Sequence, residues 1–201
     1  MQPADAGRAP CARKPCACRQ VGAGADREDT LSTPRILGVV LAGGRSSRFG
    51  SDKAQALLDG RRLADHAYAL LGPHVDDAVV AGRDGLIRDL PGPDLGPLGG
   101  IAGALHHAAG LGYTSVLTIA CDVPALPDGL LAALARRAPA FCPDAPVLGH
   151  WETASAAALI AHIESSPRRS VRGWAEAIGA LPIPAHGAIP NINTPEDMAA
   201  L

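Results

Sequence analysis

The chain has 201 residues, 47% of them apolar, 19% charged and 3% aromatic, enough for one ordinary soluble domain around a real core. Lys and Arg number 18 against 20 Asp and Glu, and a formal charge of −2 lacks the footprint of a nucleic-acid binder, so no nucleic-acid partner is expected. The apolar runs over 36–42 and 114–121 fall far short of the roughly 18 to 20 residues needed to cross a bilayer, so no membrane partner is expected.

Residues 1–34 mix Ala, Gly, Pro, Arg and Asp without periodicity and read as a disordered leader, followed by a single domain over 35–201. Cysteines stand at 11, 16, 18, 121 and 142; the odd count and the lack of a long hydrophobic signal segment argue for a reducing, cytoplasmic setting. Cys11, Cys16 and Cys18 have no second Cys or His pair at structural-zinc spacing.

The β-branched run from Ile36 to Leu41 predicts a strand buried on both faces of a parallel sheet. Leu63, Ala67, Leu70 and Leu71 recur at helical spacing, stopped at Gly72 and Pro73. A short strand over Asp77–Ala81, a turn-rich stretch over 82–100 and a helix over 100–110 follow. A second strong strand spans 114–120, and helices are expected over 128–137, 153–165 and 170–179, the first capped by Asp128. A weak strand near 181–184 and a helix opened by Thr194 complete the pattern. This alternation predicts an α/β fold: a Rossmann-like, three-layer, doubly wound, mostly parallel sheet with its ligands at the carboxyl ends of the strands.

The stretch from Leu41 to Lys53, LAGGRSSRFGSDK, is a strand end followed by a glycine-rich loop with close cations. Gly43 and Gly44 let the backbone approach a phosphate, and Arg48 and Lys53 can neutralise its charge; an ordinary strand-to-helix turn would look similar. The loop is neither a Walker A motif nor G-x-G-x-x-G. Lys53 is the only lysine in the ordered part, which favours a compact ammonium being wanted there. Asp122 ends the strongest strand, where a carboxylate could hold a hard cation against phosphate oxygens or could simply cap a turn before Pro124. The run from Gly96 to Gly103, GPLGGIAG, allows a flat base or sugar to lie on backbone, as a plain helix entry also would. Asn191 and Asn193 alternate along an extended segment and can point to one side, ahead of a Thr194 cap. The histidines carry no H-E-x-x-H pattern, Trp151 and Trp174 read as packing residues, and no G-x-S-x-G elbow is present.

Taken together, LAGGRSSRFGSDKA, GPLGGI, CDVPALP and NINTPEDM resemble, in order and spacing, the motifs of molybdenum cofactor guanylyltransferases, over roughly residues 36–201. The resemblance implies a nucleotidyltransferase domain over 35–201 that uses Mg2+ to transfer GMP from GTP to molybdopterin, releasing pyrophosphate and forming the guanine dinucleotide cofactor. It implies nucleotide contacts from Leu41, Ala42, Gly43, Gly44, Asp89, Gly96 and Gly100, triphosphate contacts from Arg48 and Lys53, metal ligation by Asp122, and molybdopterin-side positions at Asn191 and Asn193. Arg48, Lys53 and Asp122 are the expected catalytic residues. GTP and molybdopterin are the expected substrates, and a molybdenum enzyme or chaperone is the expected partner for handover.

The chain departs from the family pattern in having Phe49 for the usual Met, no asparagine around Val80–Arg83, and a shortened 138–151 segment that bears on the acceptor pocket. The alternatives are a CTP-dependent molybdopterin cytidylyltransferase, whose loop typically reads LAAG, another small-phosphate nucleotidyltransferase, and a silent nucleotide-binding homologue acting in cofactor delivery.

Overall fold

The computed structural model describes residues 34–42, 53–82, 87–166, 169–194 and 197, all within the compact unit Thr33–Leu201. The expected leader, the glycine-rich loop over 43–52 and most of the last helix lie outside the described residues.

The aliphatic run Ile36–Leu41 forms β1, flanked in parallel by Asp77–Ala81 (β4) and Ser115–Ala120 (β5), with Val40 opposite both Val80 and Ile119. Leu57–Leu58 (β2) and Arg61–Arg62 (β3) make a separate hairpin. With Ala140–Phe141 (β6), Gly149–Glu152 (β7) and Leu181–Pro182 (β8), the main sheet has the order β4-β1-β5-β7-β6-β8. Only β7 runs against its neighbours, so the sheet is mostly parallel.

Alternation along the strands divides the core in two. Leu37, Val39, Leu41 and Val116 face the helices Pro97–Gly110 (α2), Ala156–Ser165 (α4) and Val171–Ala177 (α5). Val40, Leu117 and Ile119 face Leu63–Leu71 (α1) and Leu130–Ala135 (α3). The result is the predicted three-layer arrangement, with Trp151 and Trp174 packed in one core.

Several elements differ from expectation. Helix α2 starts three residues early, because Gly96 at φ 63° turns the chain and Pro97 suits the first helical position. Asp128 does not cap α3; Gly129, at φ 77°, occupies that place without a side-chain cap. The hairpin of β2 and β3 turns through Asp59 and Gly60, both at positive φ, a D-G signal present in the sequence and not used above.

Strands β6 and β7 were not predicted. β6 is only the apolar pair Ala140 and Phe141, too short to show a period, and the burial of β7 rests on bulky polar-tipped groups instead of aliphatic alternation. The Trp151 indole donates to Thr118 Oγ1 at 2.9 Å, which in turn donates to Val147 O at 2.6 Å. The indole also presses on Gly149, where an added Cβ would fall 2.2 Å from Trp151 Cζ2. His150, 4% exposed, has Nδ1 3.0 Å from Leu134 O and Nε2 2.8 Å from Ser115 Oγ. Nδ1 therefore donates to the carbonyl, and burial lowers the imidazole pKa from its ordinary value, which favours the neutral tautomer whose Nε2 accepts from the Ser115 hydroxyl.

Candidate functional site

The sheet delivers a carboxylate to its carboxyl edge. Cys121 donates its N–H to Leu41 O at 3.1 Å, extending the pairing of β1 and β5 by one residue, and Asp122 follows immediately. From the other end of the chain, Ile192 donates its N–H to Asp122 O at 3.0 Å and buries its side chain to 1% exposure. That anchor brings the flanking residues to the site: Asn191 lines the cleft and Asn193 reaches Lys53.

Lys53 opens the short 3-10 turn Lys53–Gln55. Its Nζ donates to Asp122 Oδ2 at 2.8 Å and to Asn193 Oδ1 at 3.0 Å. Both members of the ion pair are mostly shielded, with side-chain exposures of 15% and 20%. The second carboxylate oxygen, Asp122 Oδ1, is buried and has no hydrogen-bond partner among the described residues. An unsatisfied carboxylate oxygen is costly in a protein interior and points to something that binds there.

These groups border a cleft of about 450 Å3 lined by Leu41, Ala42, Lys53, Asp122 and Asn191 among others. Sequence reasoning singled out all five. Asp89, Gly96 and Gly100 are not part of its lining; Gly96 precedes α2, and Gly100 lies between Leu41 and Asp89. A Cβ on Gly100 would lie 3.3 Å from Leu41 Cδ2, and one on Gly99 would lie 3.2 Å from the Cβ of Asp89. Partial burial, followed by the negative charge of Asp94, raises the Asp89 pKa. Gly43, Gly44 and Arg48 lie outside the described residues.

One wall was missed at residue level. Asp144, Ala145, Pro146 and Val147, in the loop between β6 and β7, also line the cleft, as does Ile189. Asp144 Oδ2 accepts the Ala185 N–H at 2.9 Å, tying this loop to the C-terminal segment, and Arg172 donates to Pro143 O. The sequence marks 144–147 as a turn and nothing more.

No cluster of three or more His, Cys, Asp or Glu occurs among the described residues. The carboxylate oxygen of Asp122 is a donor that suits a hard ion such as Mg2+. Among the described residues no helix is long and apolar enough to cross a membrane.

Residues 38–181 match the family model of the MobA-like NTP transferase domain, and relatives at 36% identity extend the match to most of the chain. The chain belongs to the MobA-like NTP transferase family. It is similar to the molybdenum cofactor guanylyltransferase of Rhizobium leguminosarum bv. trifolii, 36% identical over 197 residues, covering 86% of this chain and 94% of the relative. The enzyme of the same name from Rhodobacter capsulatus is also 36% identical, covering 82% of this chain and 94% of its own. Among solved structures, molybdopterin-guanine dinucleotide biosynthesis protein A from Archaeoglobus fulgidus superposes with a TM-score of 0.58 at 18% identity, covering 82% of this chain and 95% of its own. A 4-diphosphocytidyl-2C-methyl-D-erythritol synthase gives 0.56 at 12% identity, covering 84% and 97%. At such identities the likeness shows the fold alone. Within the span matched to the MobA-like NTP transferase domain lie Leu41, Lys53, Asp89 and Asp122, whereas Asn191 and Asn193 follow it.

Proposed function

We propose that this nucleotidyltransferase transfers GMP from GTP to molybdopterin, with Mg2+ as its divalent ion, in the cytoplasm. The observation that carries the proposal is the Lys53–Asp122 pair at the carboxyl edge of the sheet, with Asp122 Oδ1 buried and unpartnered among the described residues, beside a cleft of about 450 Å3. The relatives that match over most of the chain, named molybdenum cofactor guanylyltransferases, supply the substrate class.

The reaction exchanges one phosphoanhydride for another. The terminal phosphate of molybdopterin attacks the α-phosphorus of GTP in line, the bond to the β-phosphate oxygen breaks, and pyrophosphate leaves with that electron pair. No proton need be removed when the attacking phosphate is ionised, so the work of the protein is positioning and charge stabilisation. Asp122 Oδ1 would hold Mg2+, which when bound neutralises charge on the triphosphate. Lys53 can turn an N–H toward phosphate oxygens without leaving the cleft, and Arg48 adds a second cation. Leu41, Ala42, Gly43 and Gly44 present backbone to the nucleotide. Asp89, Gly96 and Gly100 serve its base and ribose side, where a carboxylate can accept from the N–H groups of guanine. Asn191, which lines the cleft together with Asp144–Val147, and Asn193 are assigned to the molybdopterin side by the family resemblance alone. A molybdenum enzyme or chaperone receives the product.

Isothermal titration with GTP and CTP, each with and without Mg2+, tests the donor half. Selective GTP binding strengthened by Mg2+ supports it. Preference for CTP would make the protein a cytidylyltransferase, and binding of neither by folded protein would leave a silent homologue.

A further inference from the structure

The hydrogen bonds around Lys53 give the C-terminal segment a role on the donor side of the reaction. By resemblance Asn193 belongs with the acceptor, yet its Oδ1 accepts from Lys53 Nζ at 3.0 Å. Asn193 is itself held. Its N–H and that of Thr194 donate to Asp197 Oδ2 at 2.7 and 2.9 Å, and the Asp197 N–H donates to Thr194 Oγ1 at 3.2 Å, a reciprocal cap. One residue earlier, Ile192 holds the backbone carbonyl of Asp122. Both members of the Lys53–Asp122 pair are thus fastened to two consecutive residues, Ile192 and Asn193.

An ammonium has three N–H donors in a tetrahedral arrangement. Asp122 and Asn193 fix two of those directions, and the nitrogen geometry then sets the third. Removing Asn193 leaves a long flexible side chain with one of these two anchors and returns rotamer freedom that nucleotide binding must then remove. We propose that Asn193 is a positioning residue for Lys53, acting on GTP binding through the lysine and independently of the acceptor. This rests on the nucleotide-binding role proposed for the cleft.

Lys14 and Lys53 are the only lysines in the chain, so full-length protein carrying 13C at the lysine ε-carbons gives two signals, and Lys53→Ala identifies the relevant one. Asn193→Leu keeps the size of the side chain and removes its oxygen; Asn193→Gln keeps an amide oxygen. In nucleotide-free protein Asn193→Leu should move the Lys53 signal toward that of a free lysine. With Mg2+ and no acceptor it should raise the GTP dissociation constant about 10-fold, as expected for a hydrogen bond to a charged group. Asn193→Gln should recover part of the loss, and the double variant Lys53→Ala/Asn193→Leu should bind no worse than Lys53→Ala. An unchanged Lys53 signal and GTP affinity in folded Asn193→Leu would overturn the proposal, as would losses that add in the double variant. Asn193→Ser is read by the same criteria should the leucine variant not fold. If the unsubstituted chain binds no GTP while its Lys53 signal still answers to Asn193, the hydrogen bond stands and the nucleotide role of the cleft falls, taking this proposal with it.

Discussion

Lys53 Nζ lies 2.8 Å from Asp122 Oδ2 while Asp122 Oδ1, on the same carboxylate, is buried with no partner among the described residues. One oxygen is neutralised by the protein and the other is left for something else. The same pair joins the residue after the glycine-rich loop to the end of β5, bridging 69 positions of sequence.

Asp122→Asn tests the vacant oxygen. The amide keeps the shape of the side chain but loses the charge a hard cation needs, so Mg2+-dependent turnover should fall by at least 100-fold, about 3 kcal/mol of transition-state stabilisation. Circular dichroism should show the fold intact. Full activity in Asp122→Asn would remove the metal role.

Lys53→Ala removes the cation and leaves the Asp122 charge without this partner in a mostly shielded place. The cost to kcat should be of order 2 to 4 kcal/mol, by comparison with lost oxyanion donors. Raised ionic strength should not restore it, because the deficit is one of placement as well as charge. Steady-state kinetics at two salt concentrations checks both statements.

His150 makes stability pH-dependent. Its ordinary value is 6.5, and burial lowers it in the folded chain, so acidification protonates the unfolded state first. The contribution is complete above 6.5 and is lost as pH falls below that value toward the folded pKa. Melting temperatures from pH 7.5 to about 5 should therefore decline, and His150→Gln should flatten part of that limb. An identical slope in the variant would exclude His150 as the cause.

Two glycines of α2 should respond oppositely to alanine. A Cβ on Gly103 would sit 2.0 Å from the backbone oxygen of Arg88, which cannot move without displacing the neighbouring Asp89. Gly103→Ala should lose about 1 to 3 kcal/mol or more and weaken nucleotide binding. Beyond its own helix, nothing among the described residues lies within 4 Å of a Cβ on Gly110, so Gly110→Ala should be neutral or gain up to about 1 kcal/mol from helix propensity. Thermal denaturation of the pair is the check.

How far the fold could be read ahead followed the kind of burial each segment uses. β1, β5 and α1 bury aliphatic side chains at regular spacing, and their positions were legible. β7 was not, because Trp151 and His150 are buried through hydrogen bonds to Thr118 and Ser115 on β5 and to Leu134 on α3, partners that only the folded chain supplies, and β6 is two residues long, too short to show a period. The same division holds at the site. Lys53, Asp122 and Asn191 were legible from strand ends and family motifs. The Asp144–Val147 wall was not, since those residue types specify a turn and no ligand. The bond from Lys53 to Asn193 spans 140 positions, and no local pattern encodes it.

The most direct measurement of the central claim is product formation by purified protein given molybdopterin, Mg2+ and either GTP or CTP. Pyrophosphate and the guanine dinucleotide should appear together with GTP, stop on chelation of the metal, and vanish in Asp122→Asn. Turnover with CTP in preference to GTP, or with a sugar 1-phosphate in place of molybdopterin, would contradict it.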